Sequence, residues 1–161
     1  MMTEIQVAYY AGLFDGEGCI SLTKSDRTKI RSGRKNQFIL HVTIRIREAW
    51  VLENLLSEFG GHLRTYSGAK PTCAPVGVWS IQSLKGRYFL SSILPYLRLK
   101  KDQAELGIRC LDILATYRKY KLPRNEKLSI FNTTMEPELD MILHKMKALN
   151  MKGISRLTRH E

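Results

Sequence analysis

Residues 8–18 read AYYAGLFDGEG, an apolar stretch interrupted by glycines and two acids. On a helix, Ala8, Gly12 and Gly16 are spaced i, i+4 and i+8 and form one ridge of minimal side chains. A glycine inside a helix costs about 1 kcal/mol relative to alanine, so two glycines in one ridge need a structural reason. Close approach of another helix supplies that reason, because small residues let two backbones come together. The stretch therefore predicts a helix that packs against a partner helix.

Two acids, Asp15 and Glu17, lie at the end of this ridge and are flanked by Gly16 and Gly18. If the partner helix belongs to a second copy of the chain, the contact is twofold and each residue meets its own mate. Carboxylates that converge on the axis repel each other unless a cation lies between them, and a hard divalent ion with oxygen ligands suits that position. The pattern predicts a dimer interface with these residues at or near it: Ala8, Gly12, Asp15 and Gly16.

The charge of the chain is concentrated in one segment. The 161 residues contain 26 Lys and Arg against 15 Asp and Glu, a formal net charge of +11. Residues 1–23 carry only three acids, whereas residues 24–47 carry eight basic residues and one acid. An excess of this kind indicates a polyanionic partner. A solvated charged face is the alternative reading of the same segment.

Length and composition restrict the class of protein. A chain of 161 residues with 43% hydrophobic residues can bury a core, so we expect one domain, with a core over about residues 1–100 and a helical part over about residues 101–161. No stretch is long and apolar enough for a membrane span, and the N-terminus resembles neither a signal nor a transit peptide. The three widely spaced cysteines predict reduced thiols, hence a reducing intracellular compartment, either cytoplasm or organelle.

Residues 35–46 alternate strictly between polar and apolar side chains, which predicts a strand with one buried and one polar face. Residues 19–27 alternate in the same way, so the two segments predict an antiparallel hairpin with a basic tip. A second hairpin is predicted over residues 62–83, with Trp79 and Ile81 pointing inward. The polar faces carry the donors and acceptors that can read base edges in the major groove of DNA.

Helical periodicity predicts helices over residues 48–59, 84–93, 101–117 and 136–150. The first of these ends at Gly60-Gly61, and Pro137 lies in the first turn of the last. The resulting order of elements predicts an α+β fold.

Residues 10–18, YAGLFDGEG, resemble the nine-residue signature of the LAGLIDADG homing endonucleases. The predicted elements match the α-β-β-α-β-β-α core of that family, with its saddle-shaped antiparallel sheet, over roughly the first 100 residues. Residues 97–101, LRLKK, resemble the L-K-x-K segment that follows this core, and residues 148–150 with the basic residues after them resemble its C-terminal DNA-contacting loop. One copy of the motif implies a homodimer.

The resemblance implies a site. Glu17 is the implied metal-binding carboxylate and the carbonyl of Gly16 a companion ligand for Mg²⁺, with Mn²⁺ or Ca²⁺ able to substitute in binding. Asp15 is expected to serve helix termination and interface hydrogen bonding. Lys100 aligns with the active-site lysine of the family, which organises water near the scissile phosphate.

The sequence departs from the family at two positions of the water network. A glutamine at the end of the second strand and an arginine one helical turn later are replaced, in this alignment, by Ile44 and Glu48. Either the alignment slips and Arg45 or Arg47 supplies the charge, or the basic cluster around the metals is built differently. The alternative reading of the two arginines is that they are phosphate contacts at the edge of the sheet.

Binding to double-stranded DNA is expected to divide into two layers, one that neutralises phosphates and one that reads sequence. The phosphate contacts are predicted to be Lys24, Lys29, Arg31, Arg34, Lys152, Arg156 and Arg159. The base-reading residues are predicted to be Ser21, Thr23, Ser25, Arg27, Lys35, Gln37, His41, Arg64, Tyr66, Ser80 and Gln82.

Three functions fit the sequence. The first is an intron-encoded, Mg²⁺-dependent endonuclease that cuts a long, nearly palindromic DNA target as a homodimer. The second is an RNA maturase, with RNA as partner, and the third is a non-catalytic DNA-binding regulator on the same fold. The intact acids Asp15 and Glu17 favour cleavage.

Overall fold

A computed structural model describes residues 2–26, 36–66 and 75–155. Its elements follow the predicted order of an α+β fold, with a short 3-10 turn before α4 and a π-helical turn between α5 and α6. In chain order they are α1 (Glu4–Glu17), β1 (Gly18–Asp26), β2 (Asn36–Ile46), α2 (Ala49–Phe59), β3 (His62–Tyr66), β4 (Val76–Gln82), α3 (Ser83–Ile93), the 3-10 turn Leu94–Tyr96, α4 (Lys101–Lys119), α5 (Arg124–Ile130), the π-helical turn Phe131–Met135 and α6 (Glu136–Ser155).

The four strands form one antiparallel sheet in the order β1-β2-β4-β3. The alternation in the sequence decides which face is buried. Phe38, Leu40, Val42 and Ile44 of β2 are all buried, and the inward positions of β1 and β4 are buried beside them. The predicted inward orientation of Trp79 and Ile81 is confirmed.

Aromatic residues from three helices and one strand meet at the centre of the core. The ring of Phe89 on α3 lies 4.9 Å from those of Trp79 and Phe59 and 5.4 Å from that of Phe14, measured between centroids. The indole of Trp79 donates a hydrogen bond of 2.8 Å to the carbonyl of Gly60. Edge-to-face contacts of this kind add roughly 0.5–1.5 kcal/mol per pair to the burial of the rings. The end of α1 is thereby fixed against the sheet.

Glycines end α2 as predicted. Gly60 and Gly61 have φ of +71° and +101°, backbone conformations that residues other than glycine rarely adopt. A Cβ on Gly61 would also lie 2.5 Å from the carbonyl oxygen of Ser80. The chain can therefore turn directly from α2 into β3.

The C-terminal part holds more helix than the periodicity predicted. The α6 helix begins at Glu136, but it continues directly from α5 through the π-helical turn. Pro137 lacks an N–H and would clash with the preceding turn of a regular helix, and a widened turn in front of it relieves that conflict. Phe131 and Met135 of the widened turn are buried, so packing stabilises it. Among the described helices, none has the length and apolar character needed to cross a membrane.

Candidate functional site

Glu17 is the last residue of α1, and its side chain is exposed. It forms no ion pair with any described residue. The neighbouring Gly16 is exposed as well, and a Cβ built on it would meet nothing within 4 Å. The carbonyls in the last turn of a helix have no partner inside the helix. The Gly18 N–H satisfies the carbonyl of Phe14, and the end of α1 presents the carboxylate of Glu17 on an open surface.

Asp15 does not end the helix as expected, since α1 continues to Glu17. Its carboxylate instead accepts three hydrogen bonds from backbone amides of the segment before α4. Oδ2 accepts from the N–H of Arg98 at 2.7 Å, and Oδ1 accepts from those of Leu99 at 3.1 Å and Lys100 at 2.9 Å. The role that the structure assigns to Asp15 is therefore to hold residues 98–100 against α1 within one chain.

Lys100 is the last residue of the segment that Asp15 holds, and it lies beside the end of α1. Its Nζ donates to the backbone carbonyl of Asp15, two residues before Glu17. A cation at the C-terminal end of a helix is favoured by the helix dipole. The lysine that the resemblance selected thus lies at the C-terminal end of α1, the end that carries Glu17.

An open cleft of about 310 Å³ brings Glu17 together with both predicted arginines. Arg45 and Arg47 line it together with Glu48, from the end of β2 and the turn that follows. Both guanidinium groups are exposed, and that of Arg45 lies 5.9 Å from the ring centroid of Tyr66. The two arginines are therefore close enough to the carboxylate to serve the same phosphate.

The strand register decides between Ile44 and Arg45. Ile44 pairs with Gly18, is fully buried and points into the core. Arg45, one residue later, lies on the opposite face of β2 and points toward the cleft. Arg45 is therefore the residue that lines the cleft, and Ile44 belongs to the core.

Gly18 is explained by packing and not by approach of a substrate. A Cβ there would lie 2.5 Å from the carbonyl oxygen of Phe14 and would overlap the Phe14 ring. Because the Phe14 ring is in the aromatic core, this glycine lets α1 pass into β1 without displacing it.

The polar face of the sheet carries most of the described base-reading candidates. Residues opposite each other in the register share a face, so His41 lies between Ser21 and Gln82, and Ser80 lies between Thr43 and His62. Thr43 and His62 were missing from the predicted set, although the alternation already placed them on this face. The predicted residues found on the face are Ser21, Thr23, Ser25, Gln37, His41, Arg64, Tyr66, Ser80 and Gln82.

Some predicted DNA contacts lie outside the described residues. They are Arg27, Lys29, Arg31, Arg34, Lys35, Arg156 and Arg159, and the side chain of Lys152 is not described either.

Lys24, which is predicted to contact phosphate, has anionic partners within the chain. Its Nζ lies 2.7 Å and 2.8 Å from the carboxylate oxygens of Asp140 and 3.1 Å from Oε1 of Glu136, both on α6. It also lies 5.3 Å from the centroid of the Phe38 ring. The hydrogen bond that Lys24 donates to Asp140 is the main cause that raises the pKa of Lys24. Lys24 lies on the inward face of β1 with Ile20 and Leu22, as the alternation of the sequence indicates.

Residues 148–150, which are expected to begin a DNA-contacting loop, belong to α6. Nδ2 of Asn150 donates a hydrogen bond of 3.0 Å to the carbonyl of Ile20 on β1. This contact covers the outer edge of the sheet, where unpaired backbone would otherwise be exposed.

The predicted interface ridge on α1 is open along part of its length. A Cβ added to Gly12, like one added to Gly16, would meet nothing within 4 Å, whereas Ala8 is half-buried. Two large side chains that the sequence reasoning missed extend this surface, since Ile5 is 82% exposed and Tyr9 is 50% exposed. Helical spacing of 5, 9, 12 and 16 could have found them.

The cysteines fit the predicted reduced state where they are described. Cys19 and Cys110 are free thiols, and Cys73 lies outside the described residues. Burial raises the pKa of Cys110 to about 12, so its thiol stays protonated and serves as a core residue.

Solved structures with this fold come from homing endonucleases. I-CvuI in complex with the I-CreI target is 20% identical, with a TM-score of 0.66 over 91% of this chain and 82% of that one. The archaeal intron-encoded I-Vdi141I complexed with DNA is 15% identical, with a TM-score of 0.58 over 92% and 98%. The group I intron-encoded I-CeuI complexed with DNA is 16% identical, with a TM-score of 0.60 over 91% and 68%.

At these identities the likeness to solved structures concerns the fold. No curated protein matches the sequence. A family model described as LAGLIDADG endonuclease matches residues 10–105, from the signature on α1 through the first turn of α4. Since this match covers more than half of the chain and includes Glu17, Arg45 and Lys100, the protein belongs to the LAGLIDADG endonuclease family.

Proposed function

We propose that the protein is a site-specific homing endonuclease that cuts both strands of a long, nearly palindromic DNA target as a homodimer with a divalent cation. The observation that carries the proposal is the exposed carboxylate of Glu17, which no described residue pairs, in a cleft with Arg45 and Arg47. The polar sheet face begins at this cleft, because Arg45 belongs to both. A duplex held on the sheet would thus have its backbone close to the acid.

Mg²⁺ fits the donors at the end of α1. Glu17 supplies a carboxylate oxygen and Gly16 a carbonyl oxygen, and hard cations prefer such ligands. Among the described residues no three His, Cys, Asp or Glu side chains are placed to hold a metal, so the remaining ligands would be DNA phosphate, water and the second copy. When bound, the metal would lower the pKa of an attacking water and neutralise charge on the phosphate.

The side chains of the chain itself would orient and stabilise the phosphate. Arginine remains protonated at any working pH and binds phosphate oxygens in bidentate fashion, which suits Arg45 and Arg47. Lys100 would stabilise developing negative charge beside them. Asp15 would act indirectly, because its three hydrogen bonds hold the segment that carries Lys100.

The homodimer is supported by the open surface of α1. Gly12 and Gly16 leave room for a second backbone, and the exposed Ile5 and Tyr9 would be buried against a copy. Each chain would then bring one Glu17 to the axis, and two such sites would serve the two strands.

Cleavage of a plasmid that carries the host gene without its intron tests the proposal. The wild-type chain is expected to linearise this plasmid with Mg²⁺ and to leave it intact with chelator. Glu17→Gln should reduce the rate by at least about 100-fold, because a metal ligand contributes several kcal/mol to charge stabilisation. Glu105→Gln, which changes an exposed carboxylate on α4, should cut like wild type.

Two outcomes would contradict the proposal. If that plasmid showed no metal-dependent double-strand cut, the nuclease proposal would be refuted, and the RNA maturase and the DNA-binding regulator would be the remaining functions. Cutting by Glu17→Gln at the wild-type rate would remove the site assignment.

A further inference from the structure

Three side chains on the polar face form a chain of hydrogen bonds across three strands. Nε2 of Gln82 on β4 lies 3.0 Å from Nδ1 of His41 on β2. The other ring nitrogen of His41 lies 3.3 Å from Oγ1 of Thr23 on β1, and this oxygen lies 3.3 Å from the carbonyl oxygen of Ile39. The chain thus begins at an exposed amide and ends on the backbone of the sheet.

All three bonds form together when the amide of Gln82 donates at one end and the carbonyl of Ile39 accepts at the other. An amide nitrogen only donates, so Nδ1 of His41 accepts from Gln82, and the proton of the neutral imidazole then lies on Nε2. That N–H donates to Thr23, whose hydroxyl donates to the carbonyl of Ile39. If the amide of Gln82 turned over, Nδ1 of His41 would have to carry the proton and donate to Oε1, and the hydroxyl of Thr23 would have to donate to Nε2, so its bond to the carbonyl of Ile39 would be lost. One orientation of the amide is therefore favoured.

The position of Gln82 in the fold restricts it further. Its Cα lies opposite that of His41 in the register, and the residue ends β4 directly before α3 begins. The backbone is held on both sides, so orienting the side chain is left to His41. Gln82 itself remains exposed on the face.

We propose that His41 is a positioning residue that orients Gln82 to read an adenine in each half of the DNA target. One N–H of the Gln82 amide is used by His41, which leaves the second N–H and Oε1 for a ligand. Adenine offers the complementary pair in the major groove, N7 as acceptor and N6–H as donor, and glutamine binds it in bidentate fashion. The inference rests on the proposed function in requiring DNA on this face of the sheet and a homodimer that binds two half-sites.

Selection of bound duplexes from a randomised DNA pool, in Ca²⁺ so that binding is measured without cleavage, tests this role. The wild-type protein is expected to select adenine at one position of each half-site by roughly 5- to 150-fold over other bases, the range of one good bidentate contact. Gln82→Glu identifies that position, because a carboxylate accepts from cytosine N4 and should shift the selection from adenine to cytosine.

Two substitutions at His41 separate positioning from a general structural role. His41→Asn keeps an acceptor near the place of Nδ1 and should retain adenine. His41→Leu keeps the bulk without an acceptor and should reduce the preference at that position to less than about threefold while preferences elsewhere persist. Ser57→Ala, which changes an exposed residue on α2 outside the polar face, is the control and should leave the adenine position unchanged. Thermal unfolding of each variant verifies that it is folded.

Three results would overturn the inference: no binding to DNA, a base other than adenine at the position identified by Gln82→Glu, or an unchanged preference in a folded His41→Leu variant. Its failure is distinguishable from failure of the proposed function. A protein that cuts its target and keeps its adenine preference without His41 refutes only the positioning role. One that selects adenine as described but never cuts refutes only the nuclease.

Discussion

Replacing Asp15 by asparagine is expected to destabilise the isolated chain by about 2 kcal/mol, even without metal or DNA. Asparagine keeps one acceptor oxygen, which can still serve Leu99 and Lys100. The other oxygen becomes an NH₂ group, which faces the N–H of Arg98 where the carboxylate now accepts at 2.7 Å. Two donors then oppose each other, and the segment before α4 loses its strongest attachment to α1.

The magnitude follows from the bond that is lost. A hydrogen bond to a charged group contributes about 1.5–3 kcal/mol to stability, and the two remaining bonds become neutral ones of about half the strength. Because Arg98 and Leu99 are exposed, water can replace part of the loss, which brings the estimate to about 2 kcal/mol. For a chain of this length the melting temperature should fall by about 4–8 °C.

Urea unfolding in chelator, at protein concentrations too low for dimerisation, measures this effect on the single chain. Glu53→Gln removes an exposed carboxylate from α2 and should change the free energy of unfolding by less than about 0.5 kcal/mol. If Asp15→Asn is equally neutral in chelator and differs from wild type only when metal or dimer is present, Asp15 belongs to the metal site or the interface and the reasoning is refuted.

Two further predictions concern Lys24 and Gly12. Lys24→Ala should lower the free energy of unfolding by about 1 kcal/mol, since the ion pairs that Lys24 makes with Asp140 and Glu136 are lost. DNA affinity and its salt dependence should not change, whereas Arg47→Ala should reduce the salt slope by about 1. Because the pKa of Lys24 is raised in the folded chain, this contribution is complete below its ordinary value of about 10.4 and is lost only as pH rises beyond it, so wild type and Lys24→Ala should converge in strong alkali. If Lys24→Ala made the DNA affinity less dependent on salt, Lys24 would be a phosphate contact. Gly12→Ala should stabilise the monomer in urea by up to about 1 kcal/mol, because a Cβ there meets nothing in the chain, and should weaken the dimer in sedimentation. Stronger dimerisation of Gly12→Ala would show that α1 is not the contact surface.

Sequence patterns predicted the structure correctly where the residues that determine it are neighbours in one segment. The period of two in residues 36–46 identified the inner and outer faces of β2, since adjacent side chains of a strand must point in opposite directions. Gly60-Gly61 marked the end of α2 because the turn requires positive φ. The same alternation put Lys24 on the inner face, but charge alone had suggested a phosphate contact. Its anionic partners lie more than 110 residues later on α6 and could not be inferred from β1.

The sequence alone determined the order of the elements, the polar face of the sheet and the signature that places Glu17 at the end of α1. These properties depend on neighbours within a few residues, where spacing and backbone geometry leave little choice. Only the tertiary structure decided that Asp15 holds residues 98–100, that Arg45 and Arg47 share a cleft with Glu17, and that His41 lies between Gln82 and Thr23. Those contacts join segments that are distant in sequence, and the direction of each hydrogen bond depends on atoms that meet only after the sheet and helices have packed.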